Sequence, residues 1–303
     1  MIDRRTFVAS VAAGAALSAM PAAAAPPRIH RIRMRDSTEI YLKDSGGDGR
    51  AVVLTHAWPL SADIWNVQAD ALANAGYRVI AYDRRGFGRS GKPASGHDFD
   101  TFADDLARVI SQLNVRDAAL IGYSMGGGEV VRYFSRHAGV GIAKAGFVGA
   151  AASYLTKSSD NPDGMDPAIF AGMKAGVGGD RRTYLAGLLQ NVFFDVSKTA
   201  SSPVSPTMIE HWLGVAMQAD LNATIACIDA FASTDFRAEL STVKVPTLVI
   251  HGTADIPVPI ALGRATANGI RGAKLIEYEG VSHGLVITES ARVTRDLMAF
   301  LES

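Results

Sequence analysis

Two spacings of apolar residues organise the chain. Ile29–Met34 and Glu39–Leu42 alternate apolar and polar positions and carry β-branched residues, which predicts an antiparallel hairpin. Ala51–Thr55 is a nearly unbroken apolar run, the pattern of a parallel strand buried on both faces. Ala62–Ala75 has helical spacing, and Tyr77–Tyr82 predicts the next strand. Thr101–Leu113 predicts an amphipathic helix with Phe102, Leu106, Val109, Ile110 and Leu113 on one face. A strand at Ala118–Ile121, a helix at Glu129–His137 and a strand at Ala145–Ala151 follow. Strands alternating with helices imply an α/β fold, a mostly parallel sheet with helices on both faces.

The alternation stops after Ser153. Residues 154–236 contain helical runs at Ala168–Ala175, Arg182–Leu189, Pro206–Gln218 and Ala223–Ala232, separated by Gly, Asp and Pro clusters, and show no clear strand. The pattern then resumes with a strand at Thr247–Ile250, a helix at Ile260–Asn268, a strand at Lys274–Tyr278 and a helix at Glu289–Leu301. The middle block reads as a helical cap inserted between two parts of one core, residues 26–153 and 237–303. Insertions of this kind shape binding pockets.

The first 25 residues do not fit this scheme. Asp3-Arg4-Arg5-Thr6-Phe7-Val8 precedes an Ala-rich apolar run, Val8 to Ala19, and then Met20-Pro21 and Ala22 to Ala25. A charged head, an apolar middle and a small-residue end make an export signal, and the paired arginines indicate the twin-arginine route. Cleavage after Ala24 satisfies an A-x-A site. The alternative is an uncleaved anchor, but the run is short and weakly hydrophobic against the ~20 residues of a membrane span. A periplasmic or secreted protein is therefore expected.

Charge narrows the partners. Thirty Lys and Arg balance thirty Asp and Glu, and no basic run exceeds two residues. Neither nucleic acid nor an anionic membrane is expected as a partner beyond the export step. The lone cysteine, Cys227, rules out an intrachain disulfide. It lies in the apolar stretch Ala223–Phe231, where a small buried hydrophobe fits better than a reactive thiol.

The candidate chemistry centres on Gly122-Tyr123-Ser124-Met125-Gly126, a G-x-S-x-G sequence. With 30 Gly in 303 residues, chance would produce it in about one such chain in five. Its setting carries more weight. A predicted strand runs into it and a helix leaves it, the sharp turn that exposes a nucleophilic serine at a helix N-terminus. Such a serine needs a base, and the base an orienting carboxylate, in the chain order Ser, acid, His.

His283, in the loop between the last strand and the last helix, is the candidate base. Asp255, after the strand Thr247–Ile250, is the candidate acid. Its competing role is a helix cap for the run from Ile260. Asp235 is a weaker rival for the acid. His56 and His251 close two strands, but no third ligand accompanies them, so no metal is expected. The backbone N–H groups of Met125 and Trp58 are the candidate donors to a tetrahedral oxyanion. Trp58 precedes Pro59, so this bond has access to the cis form.

Four blocks, Gly122–Glu129, Asp83–Ser90, His56–Pro59 and Asp255–Pro259, resemble the bacterial aryl esterases and cofactor-free haloperoxidases, also called perhydrolases, of the α/β-hydrolase superfamily. The likeness spans the whole mature chain. It implies an α/β-hydrolase fold, Ser124, Asp255 and His283 as a catalytic triad, Trp58 and Met125 as oxyanion donors, and no cofactor. The implied substrate is a small-molecule ester or carboxylic acid. Water attacking the acyl-enzyme gives hydrolysis, and hydrogen peroxide gives a peracid able to oxidise halide. Ala57 departs from the family, which usually has Gly there. Hydrolysis of another bond, such as a lactone, is the alternative enzyme reading. A ligand-binding protein without catalysis is the alternative outside enzymes.

Overall fold

The predicted hairpin is the edge of a single mixed sheet in the computed structural model, which describes residues 26–196 and 204–303. The export segment, residues 1–25, lies outside them. β1 (Arg28–Arg33) pairs antiparallel with β2 (Glu39–Asp44), and β2 pairs antiparallel with β4 (Arg78–Tyr82). Every later neighbour is parallel. β3 (Ala51–Thr55) lies between β4 and β5 (Ala118–Tyr123), followed by β6 (Ile142–Val148), β7 (Thr247–Gly252) and β8 (Lys274–Tyr278). The order across the sheet is β1-β2-β4-β3-β5-β6-β7-β8. Strands β3, β5 and β7 are buried along their whole length, which is why their sequences run apolar without alternation.

Helices cover the sheet. A short 3₁₀ turn at Ala62–Trp65 leads into α1 (Asn66–Asn74). α2 (Phe99–Gln112) starts where the Asp98 carboxylate accepts from the Thr101 N–H, and α3 is Met125–His137. Residues 154–236 hold α4 (Pro167–Gly178), α5 (Arg181–Leu188), α6 (Pro206–Ala216) and α7 (Leu221–Ser233). Each of these four opens on a side-chain cap, from Asp166, Asp180, Ser205 and Asp220 in turn. The Asp and Pro clusters that break up this segment are therefore helix starts. α8 (Ile260–Gly269), α9 (Leu285–Thr288) and α10 (Ser290–Glu302) complete the chain.

Of the boundaries that differ from expectation, two beside the site have a physical reason in the packing. α3 begins at Met125 rather than Glu129. Gly126-Gly127-Gly128 has no apolar pattern and low helix propensity, so periodicity misses this turn. Close packing demands the glycines: a Cβ on Gly127 would sit 2.4 Å from the Ala150 methyl, and one on Gly128 2.7 Å from the Phe236 ring. β6 ends at Val148, not Ala151, because the chain turns at Gly149 with φ 48°. The apolar run through Ala152 hides that turn.

Candidate active site

Three loops meet at the C-terminal edge of the parallel strands, where open α/β sheets place their sites. The first is the junction of β5 and α3. Ser124 occupies it with φ 54° and ψ −122°, a conformation most side chains avoid. The surroundings hold it there. Its N–H donates to Val148 O at 3.0 Å, and its carbonyl accepts from Gly127 N at 2.9 Å and Ala151 N at 3.0 Å. Gly126 lets α3 press against β3, since a Cβ there would lie 2.2 Å from Thr55 Oγ1 and 2.8 Å from its carbonyl oxygen.

The loops after β7 and β8 bring Asp255 and His283 to this serine. His283 Nε2 is 2.9 Å from Ser124 Oγ, and His283 Nδ1 is 2.7 Å from Asp255 Oδ2. The carboxylate accepts from Nδ1–H, which leaves Nε2 to accept from the serine hydroxyl. All three residues are buried. Asp255 Oδ1 accepts from Val258 N at 2.8 Å, so one carboxylate both orients the imidazole and closes the turn into α8. The expected alternative, a cap of the helix from Ile260, is not realised: α8 opens on Pro259 with no side-chain cap, and Asp255 instead ties the turn before it. Asp235 lies elsewhere, with its carboxylate held by Arg237 at 2.6 Å.

His283 has further supports that pattern reading missed. The Tyr123 hydroxyl donates to His283 O at 2.7 Å, and its ring stacks on the imidazole at 5.5 Å. Phe193 meets the imidazole edge-on at 4.9 Å. Tyr123 is one of the two variable positions of the G-x-S-x-G sequence, and nothing local marks it. His251 is a buried neighbour: its Nε2–H donates to Val258 O at 2.7 Å and lies 3.5 Å from Asp255 Oδ2.

Trp58 and Met125 border the same cavity as Ser124 and His283. Met125 is the first residue of α3, so its N–H is among those without an intrahelical acceptor. The Trp58 indole donates to Thr224 O of α7 at 3.0 Å and packs edge-on against Phe231. The Trp58-Pro59 bond is cis. Ala57 is fully buried, so its methyl occupies space within the loop itself.

Beneath that loop lies a buried ion pair. Arg84 donates to Glu129 Oε2 through Nε at 2.9 Å and Nη2 at 2.7 Å, and the Tyr82 hydroxyl donates to Glu129 Oε1. Arg84 Nη2 also donates to His56 O at 3.1 Å, and its backbone N–H to His56 Nε2 at 2.9 Å. His56 Nδ1–H then donates to Ala57 O at 2.9 Å. His56 is thus a brace for the Trp58 loop. Glu129 is one of several charged positions in Glu129–His137, and its partner is 45 positions away, so nothing local marks the pair.

Burial holds His56 well below its ordinary imidazole range, with the Arg84 charge adding to the effect. Burial also lowers His251, against the pull of Asp255. Folding therefore keeps both rings neutral while the unfolded chain binds protons below pH ~6.5. In that window the unfolded state holds more protons, so stability falls as pH drops below about 6.5. Urea midpoints at neutral and mildly acid pH should show this decline, and a flat profile would contradict the assignment. Cys227 is buried, with its thiol pushed up to about 12 by desolvation, which suits packing rather than nucleophilic chemistry.

The cavity has a volume of about 450 Å³. Met165, Phe170, Met173, Leu188 and Phe231 supply one wall, and Ile256 and Val258 another. No Asp, Glu, Lys or Arg is among its described lining residues.

Residues 50–290 match the alpha/beta hydrolase fold family. A non-heme haloperoxidase of Rhodococcus erythropolis is 39% identical over 269 residues, covering 88% of this chain and 97% of the relative. A bifunctional esterase/perhydrolase of Acinetobacter calcoaceticus is 34% identical over 274 residues, covering 90% of this chain and 99% of the relative. Among solved structures, a bromoperoxidase from Bacillus anthracis superposes with a TM-score of 0.86 at 40% identity, covering 91% of this chain and 100% of the other.

Proposed function

Because this chain belongs to the alpha/beta hydrolase fold family, we propose that it cleaves carboxylic esters through an acyl-enzyme on Ser124. The observation that carries this reading is the continuous hydrogen-bonded line from Ser124 through His283 to Asp255 at the wall of an apolar cavity.

Each residue then has a role. Ser124 Oγ attacks the acyl carbonyl while His283 Nε2 takes its proton. Asp255 holds the Nδ1–H tautomer and stabilises the imidazolium. The N–H groups of Met125 and Trp58 bind the oxyanion. His283 returns the proton to the departing alcohol, then takes one from the second nucleophile. Water in that step releases a carboxylic acid. Hydrogen peroxide releases a peracid, a side activity in keeping with the haloperoxidase and perhydrolase relatives.

The apolar cavity favours uncharged acyl or aryl groups. Each methylene that fills it adds ~0.8 kcal/mol, about fourfold in kcat/KM. A carboxylate on the same group should cost at least about 100-fold, because no lining cation receives it. A panel of neutral and charged aryl esters and lactones, run with and without peroxide, tests this. Preference for a charged acyl group would overturn the substrate class, and preference for lactones the scissile bond.

We also propose export in the folded state by the twin-arginine route. The support is Arg4-Arg5 before an apolar run and a small-residue cleavage site, in a chain whose one cysteine requires no partner. N-terminal sequencing of the mature protein should begin at Ala25, and an intact Met1 would count against it.

A further inference from the structure

We propose that Met125, Met165 and Met173 are oxidised by the peracid formed at Ser124, so that the cavity modifies itself during perhydrolysis. This rests on the perhydrolysis arm of the function proposed above.

The chain has nine methionines, and three of them line the cavity that holds Ser124 and His283. They come from three elements. Met125 follows the nucleophile at the start of α3. Met165 sits before α4, fixed by its N–H to Leu155 O at 2.8 Å and by its carbonyl accepting from Lys157 N at 2.8 Å. Met173 lies within α4. Thioethers are the softest nucleophiles facing this space. The rest of the lining is mainly hydrocarbon, with the Ser124 hydroxyl, the Tyr184 phenol, the Trp58 indole and His283 as exceptions. Cys227, the other sulfur that peroxide attacks, is not part of the lining.

The reaction balances without a further reagent. Hydrogen peroxide attacks the acyl-enzyme and leaves as a peracid. The terminal peroxy oxygen passes to a methionine Sδ, the O–O bond breaks and an S–O bond forms. The peroxy proton moves to the carboxylate oxygen, giving a carboxylic acid. Sulfur is oxidised by two electrons to the sulfoxide, and the peracid is reduced by two.

Concentration decides where this happens. One peracid in a cavity of about 450 Å³ has an effective concentration of about 4 M. Peracid diluted into bulk solution cannot match that. The product would put a polar, chiral sulfoxide into an apolar wall and beside the oxyanion loop. Activity therefore declines with turnovers completed, not with time in peroxide.

The molecule supplies its own controls. Met208, Met217 and Met298 are half-buried like Met165 and Met173, but lie outside the cavity. The test is peptide mass mapping of the full chain after incubation with an aryl ester, with hydrogen peroxide, and with both, while released peracid is assayed in the same tubes. With both reagents, the three cavity methionines should gain one oxygen at least ~10-fold faster than the controls. Peroxide alone, or Ser124→Ala with both reagents, should show no such preference. A variant carrying Met165→Leu and Met173→Leu should lose less activity per turnover, measured against its own initial rate. Peracid release with equal oxidation of all six methionines would overturn the inference and leave perhydrolysis standing. Absence of peracid would overturn both. Equal cavity oxidation in Ser124→Ala would assign the damage to bulk peroxide and also overturn it.

Discussion

Replacing His283 by alanine is expected to lower kcat for a neutral aryl ester by roughly 10⁶-fold. His283 Nε2 lies 2.9 Å from Ser124 Oγ, within reach of the serine proton. Without it the hydroxyl keeps its poor intrinsic nucleophilicity, and only the oxyanion donors and substrate binding still assist. Asp255→Asn should cost about 10⁴-fold, because the amide favours the wrong imidazole tautomer. The effects will not add. Ser124→Ala combined with His283→Ala should be no slower than either alone, since both belong to one proton-transfer unit. Steady-state rates on variants shown by circular dichroism to be folded check this, and a loss under about 100-fold for His283→Ala would contradict the assigned base.

The largest stability effect is expected from Glu129→Ala. The carboxylate is fully buried and pairs with an Arg84 side chain that is 1% exposed. Its removal leaves a guanidinium without a counter-charge in the core, at a cost of about 3–5 kcal/mol. Function should suffer as well, because Arg84 braces His56 and, through it, the loop carrying Trp58. Urea unfolding measures the first effect, and kcat below the unfolding temperature the second. Adding Arg84→Met to Glu129→Ala removes the orphaned charge and should restore part of the stability but not the brace. A single variant as stable as the parent would contradict the pairing.

Much of this architecture is legible in the chain itself, because its chemistry sits at ends of strongly patterned elements. The strands before Gly122 and Asp255 are short and apolar, and the strand before His283 is short with apolar residues at Leu275, Ile276 and Tyr278. Reading their order in the chain therefore places three loops on one sheet edge. What escapes is whatever depends on tertiary contact. Glu129 and Arg84 meet because the loop after β4 reaches the start of α3, and no local pattern encodes a pair 45 residues apart. The Tyr123 hydroxyl reaches a carbonyl 160 positions away. The first turn of α3 is hidden because its glycines answer to Ala150 and Phe236 rather than to helix propensity. Asp255 shows the limit of choosing between roles from sequence. Helix cap and histidine partner read as rivals; α8 has no side-chain cap, and the two oxygens of Asp255 serve the turn at Val258 and the His283 imidazole.

The most direct measurement is the mass of the protein quenched during turnover of an aryl ester, with the release of phenol followed on the same timescale. Attack by Ser124 predicts an added acyl group on the peptide containing Ser124, together with a burst of phenol close to one equivalent per enzyme when deacylation is the slower step. Both should vanish in Ser124→Ala, and a fluorophosphonate probe should label the same residue in the parent alone. A folded parent that turns over the ester but takes up neither acyl group nor probe, or a Ser124→Ala variant that keeps its rate, would contradict Ser124 as the nucleophile.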